Sequence, residues 1–382
     1  ADAVDVVTVA DELRRHNLID ELGGLNFLLE LQNATPSISS AGRYIRIVRD
    51  TSTLRRLIRG ASEIADIGYS APADIKNAID QAEQIVFDIG DEQITDSLQK
   101  LHELTGTVAQ ILENRYDAKS DVTGIRTGYS KRDKLLSGLQ PGTLNIVGAR
   151  PAMGKSAFAL GMAISAARTT NRPVLFFSLE MSATELTQRI LSAEAQVDSD
   201  RMRTGNLQDA DWTKITNAIN RLEIPLYIDD TSQITVTQIR QKLRRVAVSD
   251  AAPALVVIDY LQLMGGGNNE NRQLEVSEIS RGLKLLARDF GIPVVALSQL
   301  SRTIETRADR RPVLADLRES GALEQDADVV MFLYREEAAN AEARNNDKGF
   351  ADVIVQKHRS GPTGDVRLIF NKAYTQFVDE PE

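Results

Sequence analysis

A chain of 382 residues, 42% of them hydrophobic, has material for about two or three domains, each with its own core. It has no cysteine and three scattered histidines, His16, His102 and His358, and no apolar run long enough for a bilayer, so disulfides, thiolate metal sites and a membrane helix are excluded. A net charge of −9 excludes a surface that is basic all over, but a basic groove inside an acidic shell stays open, because screening confines a charge's field to about 10 Å.

The N-terminus is acidic and has no apolar signal core, so the expected compartment is the cytoplasm. Residues 1–95 read as helical. Thr8 and Asp11 are placed to cap a helix that runs to Leu22 and is stopped by Gly23-Gly24. Ile47, Thr51, Leu54, Ile58, Ala61 and Ala65 recur at helical spacing, as do Ile75, Ile79, Ala82, Val86 and Ile89. No chemistry stands out there, and the expected role is packing or docking. Ile94, Leu98, Leu101, Leu104, Val108 and Ile111 make one apolar stripe on a further helix, which packs on its own domain or on a neighbouring subunit. The polar stretch Tyr116–Gly128 reads as a linker. These readings divide the N-terminal part into a helical domain over 1–95 and a linker helix and linker over 96–128.

From Tyr129 to residue 382 the pattern changes. The β-rich runs Leu144–Val147, Val174–Ser178, Leu255–Asp259, Val294–Ser298 and Val329–Tyr334 alternate with helical stretches, among them Ser156–Ala167, Thr184–Gln196 and Leu274–Asp289. That alternation predicts an α/β domain, a mainly parallel sheet flanked by helices. Asp352–Lys357 and Asp365–Phe370, joined through Gly361-Pro362-Thr363-Gly364, predict a terminal hairpin.

Ala149-Arg-Pro-Ala-Met-Gly-Lys-Ser156 follows an apolar strand and opens a helix, which is the setting of a P-loop. Gly154 lets the backbone approach a phosphate, and the helix start offers N–H groups and a favourable dipole. Lys155 is placed for the β- and γ-phosphates of ATP, and the Ser156 hydroxyl for Mg²⁺. Ala149 stands where a P-loop usually has its first glycine. Asp259 ends an apolar strand and suits the second acidic role at the magnesium. Many ATPases follow that Asp with a Glu that orients water, but here Tyr260 follows. Glu180, at the end of the strand Val174–Leu179, is the candidate base, with helix capping before Ser182 as its alternative. Gln299 ends another strand, where an amide can report on the γ-phosphate.

Ala149–Ser156, Ser178-Leu-Glu-Met-Ser182, Val257-Ile-Asp-Tyr-Leu-Gln-Leu263, Ser298-Gln-Leu-Ser-Arg302, Asp316-Leu-Arg-Glu-Ser-Gly321 and Lys357-His-Arg-Ser-Gly-Pro-Thr-Gly364 occur in this order. Together they resemble the RecA-type motor of DnaB replicative helicases, from about Val122 to the end. Residues 1–120 resemble the later part of that family's N-terminal helical collar and its linker helix, without the first helices. The resemblance implies an ATP- and Mg²⁺-dependent homohexameric helicase moving 5′ to 3′ on single-stranded DNA, with primase and a helicase loader as partners. It implies that Ala152, Gly154, Lys155, Ser156, Ala157 and Arg189 hold the nucleotide, and that Lys357 and Arg359 reach a neighbouring subunit's γ-phosphate. It also implies that Arg318, Glu319 and Gly321 contact DNA. Arg302, Arg307, Arg310 and Arg311 lie in the same segment, Ser301–Gly321, where arginines on a loop can track a phosphate backbone without base stacking. A RecA-like recombination ATPase forming filaments, a nucleotide-gated scaffold and a nucleoside kinase are the rival readings.

Overall fold

The computed structural model describes residues 6–16, 18–19, 23–34, 41–70, scattered positions over 72–86, and then 100–118, 121–249, 251–264, 272–307, 309–339 and 349–381. The chain divides into two compact units, Ala1–Gln110 and Ile111–Glu382.

The first unit is helical. It contains α1 (Val6–Arg15), α2 (Gly24–Ala34) and α3 (Ala41–Tyr69), and α4 (Leu101–Ala118) crosses into the second unit. The expected cap at Thr8 does not form, because α1 is already under way at Val6 and Thr8 lies inside it. Asp11 instead takes Arg15 one turn on, at 3.0 Å. The helix ends at Arg15 rather than Leu22, and Gly23 and Gly24, both at positive φ, lead into α2. The periodicity over 47–65 corresponds to α3, yet Ile47, Leu54 and Ile58 are exposed on it. Ile75, Ile79, Ala82 and Val86 are helical, whereas Ile89, Ile94 and Leu98 lie outside the described residues. No helix among the described residues is long and apolar enough to cross a membrane.

The second unit is built on one sheet. In chain order its elements are α5 (Ser130–Leu136), β1 (Leu144–Ala149), α6 (Lys155–Thr170), β2 (Val174–Ser178), α7 (Ala183–Ala195), α8 (Ser199–Thr204), α9 (Asp209–Arg221), β3 (Leu226–Asp229), α10 (Val236–Ser249), β4 (Leu255–Asp259), α11 (Arg272–Phe290), β5 (Val294–Gln299), α12 (Gly321–Asp326), β6 (Val329–Tyr334), α13 (Glu336–Ala339), β7 (Phe350–His358), β8 (Gly364–Asn371) and β9 (Gln376–Asp379). The strand order is β3-β2-β4-β5-β1-β6-β7-β8-β9. β3 through β6 in that order are parallel, and β7, β8 and β9 add on antiparallel.

The apolar runs become buried parallel strands because helices cover both faces of the sheet. Val174 and Phe176 face α6 and α7, while Leu175 and Phe177 face the layer of α10 and α11. Each such side chain contributes roughly 1.5–3 kcal/mol of transfer free energy. Two strands were not expected. β3 is a four-residue edge strand and β9 a four-residue terminal one, and neither is fully buried. The end of the expected linker is not a free connection. Ile125 and Leu139 exchange backbone hydrogen bonds at 2.9 Å, and Thr127 donates its N–H to the Asp133 carboxylate at 2.9 Å. Tyr116 and Asp117 belong to α4.

This topology fixes where a ligand can sit. β1 lies between β5 and β6, and its crossover through α6 leads to β2, on the far side of β5 and β4. The carboxyl ends of β1, β2, β4 and β5 therefore open on one crevice at the switch point.

Candidate active site

The loop between β1 and α6 has two left-handed residues, Ala152 (φ 68°) and Gly154 (φ 92°). A side chain at 154 is barred twice, by that φ and by space, since a Cβ there would lie 2.9 Å from the Phe377 ring. Phe377 and Phe370 pack against each other under the loop, with ring centroids 4.7 Å apart and ring planes tilted by 47°. The loop is thus wrapped tightly around the start of α6, with that helix's first N–H groups at the crevice.

The crevice is a cavity of about 810 Å³. Ala152, Gly154, Lys155, Ser156, Glu180, Arg189 and Gln299 all line it. Ala157, one residue further into α6, is buried in the core instead. Asp259 is fully buried at the end of β4, and its Oδ1 is 3.5 Å from Lys155 Nζ. Neither carboxylate oxygen has a hydrogen-bond partner in the described structure, a costly arrangement for a buried charge. Burial pushes the Lys155 ammonium below its ordinary value, and Asp259 and Glu180 oppose that shift. Lys155 also lies 4.2 Å over the Tyr260 ring. Among the described residues no group of three or more His, Asp or Glu could hold a metal by itself. A magnesium ion between Ser156 and Asp259 would take most of its ligands from phosphate and water, which is its usual manner of binding, and the orphaned Asp259 oxygens fit that role.

The capping alternative for Glu180 is decided by the contacts. Ser182 and Glu185 form a capping box on α7, with Glu185 Oε2 accepting from Ser182 N–H at 3.0 Å, and Glu180 stands outside it, exposed on the cavity wall.

Lys357 and Arg359 do not line this cavity. Lys357 donates to the backbone carbonyls of Glu324 and Gln325, and Arg359 to that of Gln325. Both cations thus cap the C-terminus of α12, where helix carbonyls attract them. Desolvation lowers the Lys357 ammonium below its usual value, with Arg359 adding to the effect.

Arg318 and Glu319 lie in the 3-10 turn Leu314–Ser320, their side chains outside the described residues, and Gly321 is exposed at the start of α12. The neighbouring arginines divide. Arg307 is held by Asp316 at 2.8 Å, Arg311 by Asp352 and Asp365 at 3.2 and 2.6 Å, and Arg310 by the Ala339 carbonyl. Within the chain these three brace the segment. Arg302 is exposed.

Sequence reading passed over three residues. Gln262 accepts from the Gln299 N–H and donates to its carbonyl, both at 3.2 Å, and so fixes the end of β5. Arg150 joins the phosphate loop to the segment after β5, donating to the Leu300 carbonyl at 2.8 Å and through Nε to Glu305 at 3.0 Å. Arg335 lines the cavity from the end of β6. Gln262 falls inside a quoted motif and Arg150 inside the P-loop, but only folding shows what they touch.

A parallel sheet of this order, with a phosphate loop after the central strand and a buried acid beside its lysine, defines a RecA-like P-loop nucleotide hydrolase. Residues 124–379 match the family model described as DnaB-like helicase C terminal domain, and residues 1–50 the DnaB-like helicase N terminal domain. The chain is 42% identical over 379 residues to the replicative DNA helicase DnaC of Bacillus subtilis, covering 98% of this chain and 83% of that protein. It is 43% identical to the replicative DNA helicase DnaB of Geobacillus stearothermophilus, with the same coverage. Among solved structures, a DnaB-like replicative helicase described with its interactions with primase matches with a TM-score of 0.77 at 31% identity, over 99% of this chain and 88% of that one. A second solved structure, described as an ATPase domain, matches with a TM-score of 0.70 at 36% identity, over 75% of this chain and all of that one. The chain belongs to the DnaB-like replicative DNA helicase family, and its activity is that of an ATP-dependent DNA helicase.

Proposed function

We propose that this chain is one subunit of a homohexameric ring that hydrolyses ATP at subunit boundaries, moves 5′ to 3′ on single-stranded DNA and unwinds duplex at a replication fork in the cytoplasm. The observation that carries this reading is an incomplete site. The cavity holds Lys155, Ser156, Glu180 and Gln299, while Lys357 and Arg359 stand outside it, exposed enough for a neighbour to use: the Arg359 side chain is 47% accessible. A cation supplied by the next subunit completes the site only when the two meet, which ties hydrolysis to subunit motion. In that scheme Lys155 and the N–H groups of the loop bind the phosphates, Arg189 lies beside the nucleotide, Glu180 takes a proton from the attacking water, and Gln299, braced by Gln262, senses the γ-phosphate. Ser156 and Asp259 would hold magnesium, which when bound neutralises charge between the β- and γ-phosphates. Residues 1–95 act as part of a collar, 96–128 as linker helix and linker, and 129–382 as the motor. Primase and a helicase loader are the partners in this reading. Strand displacement on a forked duplex with a 5′ tail, together with negative-stain images in ATP and single-stranded DNA, tests it. Displacement and six-fold rings are expected, and filaments would sink the ring.

Arg318, Glu319 and Gly321 would face the DNA in the channel. Arg318→Ala is expected to weaken single-strand binding for all sequences alike and to flatten the salt dependence by about one contact per site, measured by fluorescence anisotropy across a salt series. A loss confined to some base sequences would contradict backbone tracking.

Assembly is read from α4. Leu101, Leu104, Val108 and Ile111 are exposed on it, so the apolar stripe has no cover within the described chain. A neighbouring subunit's motor is the cover in the ring. Replacing both Leu101 and Val108 with Asp is expected to shift the hexamer to smaller species in sedimentation velocity, because the charges would be buried without partners.

A further inference from the structure

Arg335 stands at the end of β6, and 5% of it is accessible. Its guanidinium lies 4.0 Å from the Phe370 ring centroid, stacked on the same aromatic floor that supports the phosphate loop. Nη2 pairs with Glu337, which is itself buried and is bridged from the other side by Lys372 at 2.5 Å. Nη1 donates to the carbonyl of Ala152 at 3.3 Å. Nε is buried without a hydrogen-bond partner among the described residues, so there Glu337 and Ala152 hold the fork by hydrogen bonds while Phe370 supports its face. Both Arg335 and Lys372 line the phosphate cavity.

Packing does not require this arrangement. A buried ion pair contributes little net stability compared with apolar side chains of the same volume, because desolvation offsets its attraction. What the pair supplies is a fixed direction, and that direction ends on Ala152, the non-glycine residue of the loop held at φ 68°. Left-handed backbone is unfavourable for alanine and persists only where the surroundings hold it. Burial pushes the Glu337 carboxyl up, but Lys372 and Arg335 outweigh that and leave it below its ordinary value, so it stays charged to hold the fork.

We infer that Arg335 is a positioning residue for nucleotide binding: oriented by Glu337 and Lys372, it grips the Ala152 carbonyl, fixes the left-handed turn, and so aims the loop's N–H groups at the phosphates. It does not touch the reacting atoms. The inference rests on the reading of this cavity as the ATP site, and deepens it by adding a buried brace to the phosphate loop.

Because the turn serves ground state and transition state alike, its loss falls on affinity rather than on the chemical step. In the full chain with magnesium, Arg335→Ala is expected to weaken binding of a fluorescent ADP analogue about ten- to hundredfold, in line with loss of a charge-assisted hydrogen bond. KM for ATP should rise by a similar factor, with kcat at saturation nearly kept. Arg335→Lys should recover part of the affinity, since a single ammonium keeps the charge but not the fork. The variant Arg335→Ala with Glu337→Ala leaves no unpaired buried charge and so guards against misfolding. It should fold, by its circular dichroism and melting curve, and still bind nucleotide weakly. Wild-type affinity and KM in the double variant and in Arg335→Lys overturn the inference, as does a loss confined to kcat. Lys155→Ala separates the two levels. If it binds the analogue normally, the cavity reading itself fails. If it loses binding while the Arg335 variants keep theirs, only the role of Arg335 fails.

Discussion

Replacing Glu180 with Gln is expected to leave a protein that binds ATP and scarcely hydrolyses it, with turnover reduced by about 10²–10⁴, the usual worth of a positioned general base. The substitution is nearly isosteric, and Glu180 takes no part in the cap of α7, which Ser182 and Glu185 form between them. Fold and nucleotide affinity should therefore hold. The contrast is Lys155→Ala, which removes the phosphate charge and should lose binding as well as turnover. Steady-state phosphate release, read beside equilibrium binding of a fluorescent nucleotide, distinguishes the two. Normal hydrolysis in Glu180→Gln would move the base to another residue.

Arg359→Ala is expected to lose ATPase almost completely in a uniform ring, and to recover part of it when mixed with Glu180→Gln subunits. At some boundaries of a mixed ring an intact Glu180 meets an intact Arg359, whereas either variant alone lacks one of them everywhere. The arginine is half exposed and its bonds within the chain are to the carbonyl of Gln325 and to Asp328 at 3.8 Å, so its removal should not unfold the motor. ATPase across a titration of mixing ratios, with co-assembly checked by native mass, is the measurement. A mixture that co-assembles and stays inactive means that Arg359 does not act across the boundary.

Much of the motor could be read from the chain because its central strands are buried on both faces. Runs such as Val174-Leu-Phe-Phe-Ser178 and Val329-Val-Met-Phe-Leu-Tyr334 have no other stable use in a protein of this composition. β3 and β9 carry only four residues each on partly exposed positions, so their pattern is too short to separate from loop. At the N-terminus the helices were legible but not their ends. Thr8 and Asp11 have the residue types of a cap, and the chain used Asp11 for an ion pair within the helix instead. The phosphate loop, Asp259 and Glu180 announce themselves by position after strands. Arg335 does not, because its meaning lies in a contact with Ala152 that is 183 residues away, and no local pattern encodes it. The arginines of the 301–321 segment give the opposite lesson. Their composition suggested one shared task, and the fold gave three of them to carboxylates and a carbonyl.

The floor of phenylalanines beneath the phosphate loop has a consequence for biogenesis. Phe370 and Phe377 come from β8 and β9, and Asp379 further ties the start of α5 by accepting from the Ser130 N–H at 2.8 Å. The loop they support was synthesised more than two hundred residues earlier. A growing chain thus makes more than two hundred further residues after 149–156 before the floor that shapes them exists. The floor exists only once residues 370–379 have been made, so the shape of the phosphate loop depends on strands that the chain supplies last among those that build the sheet.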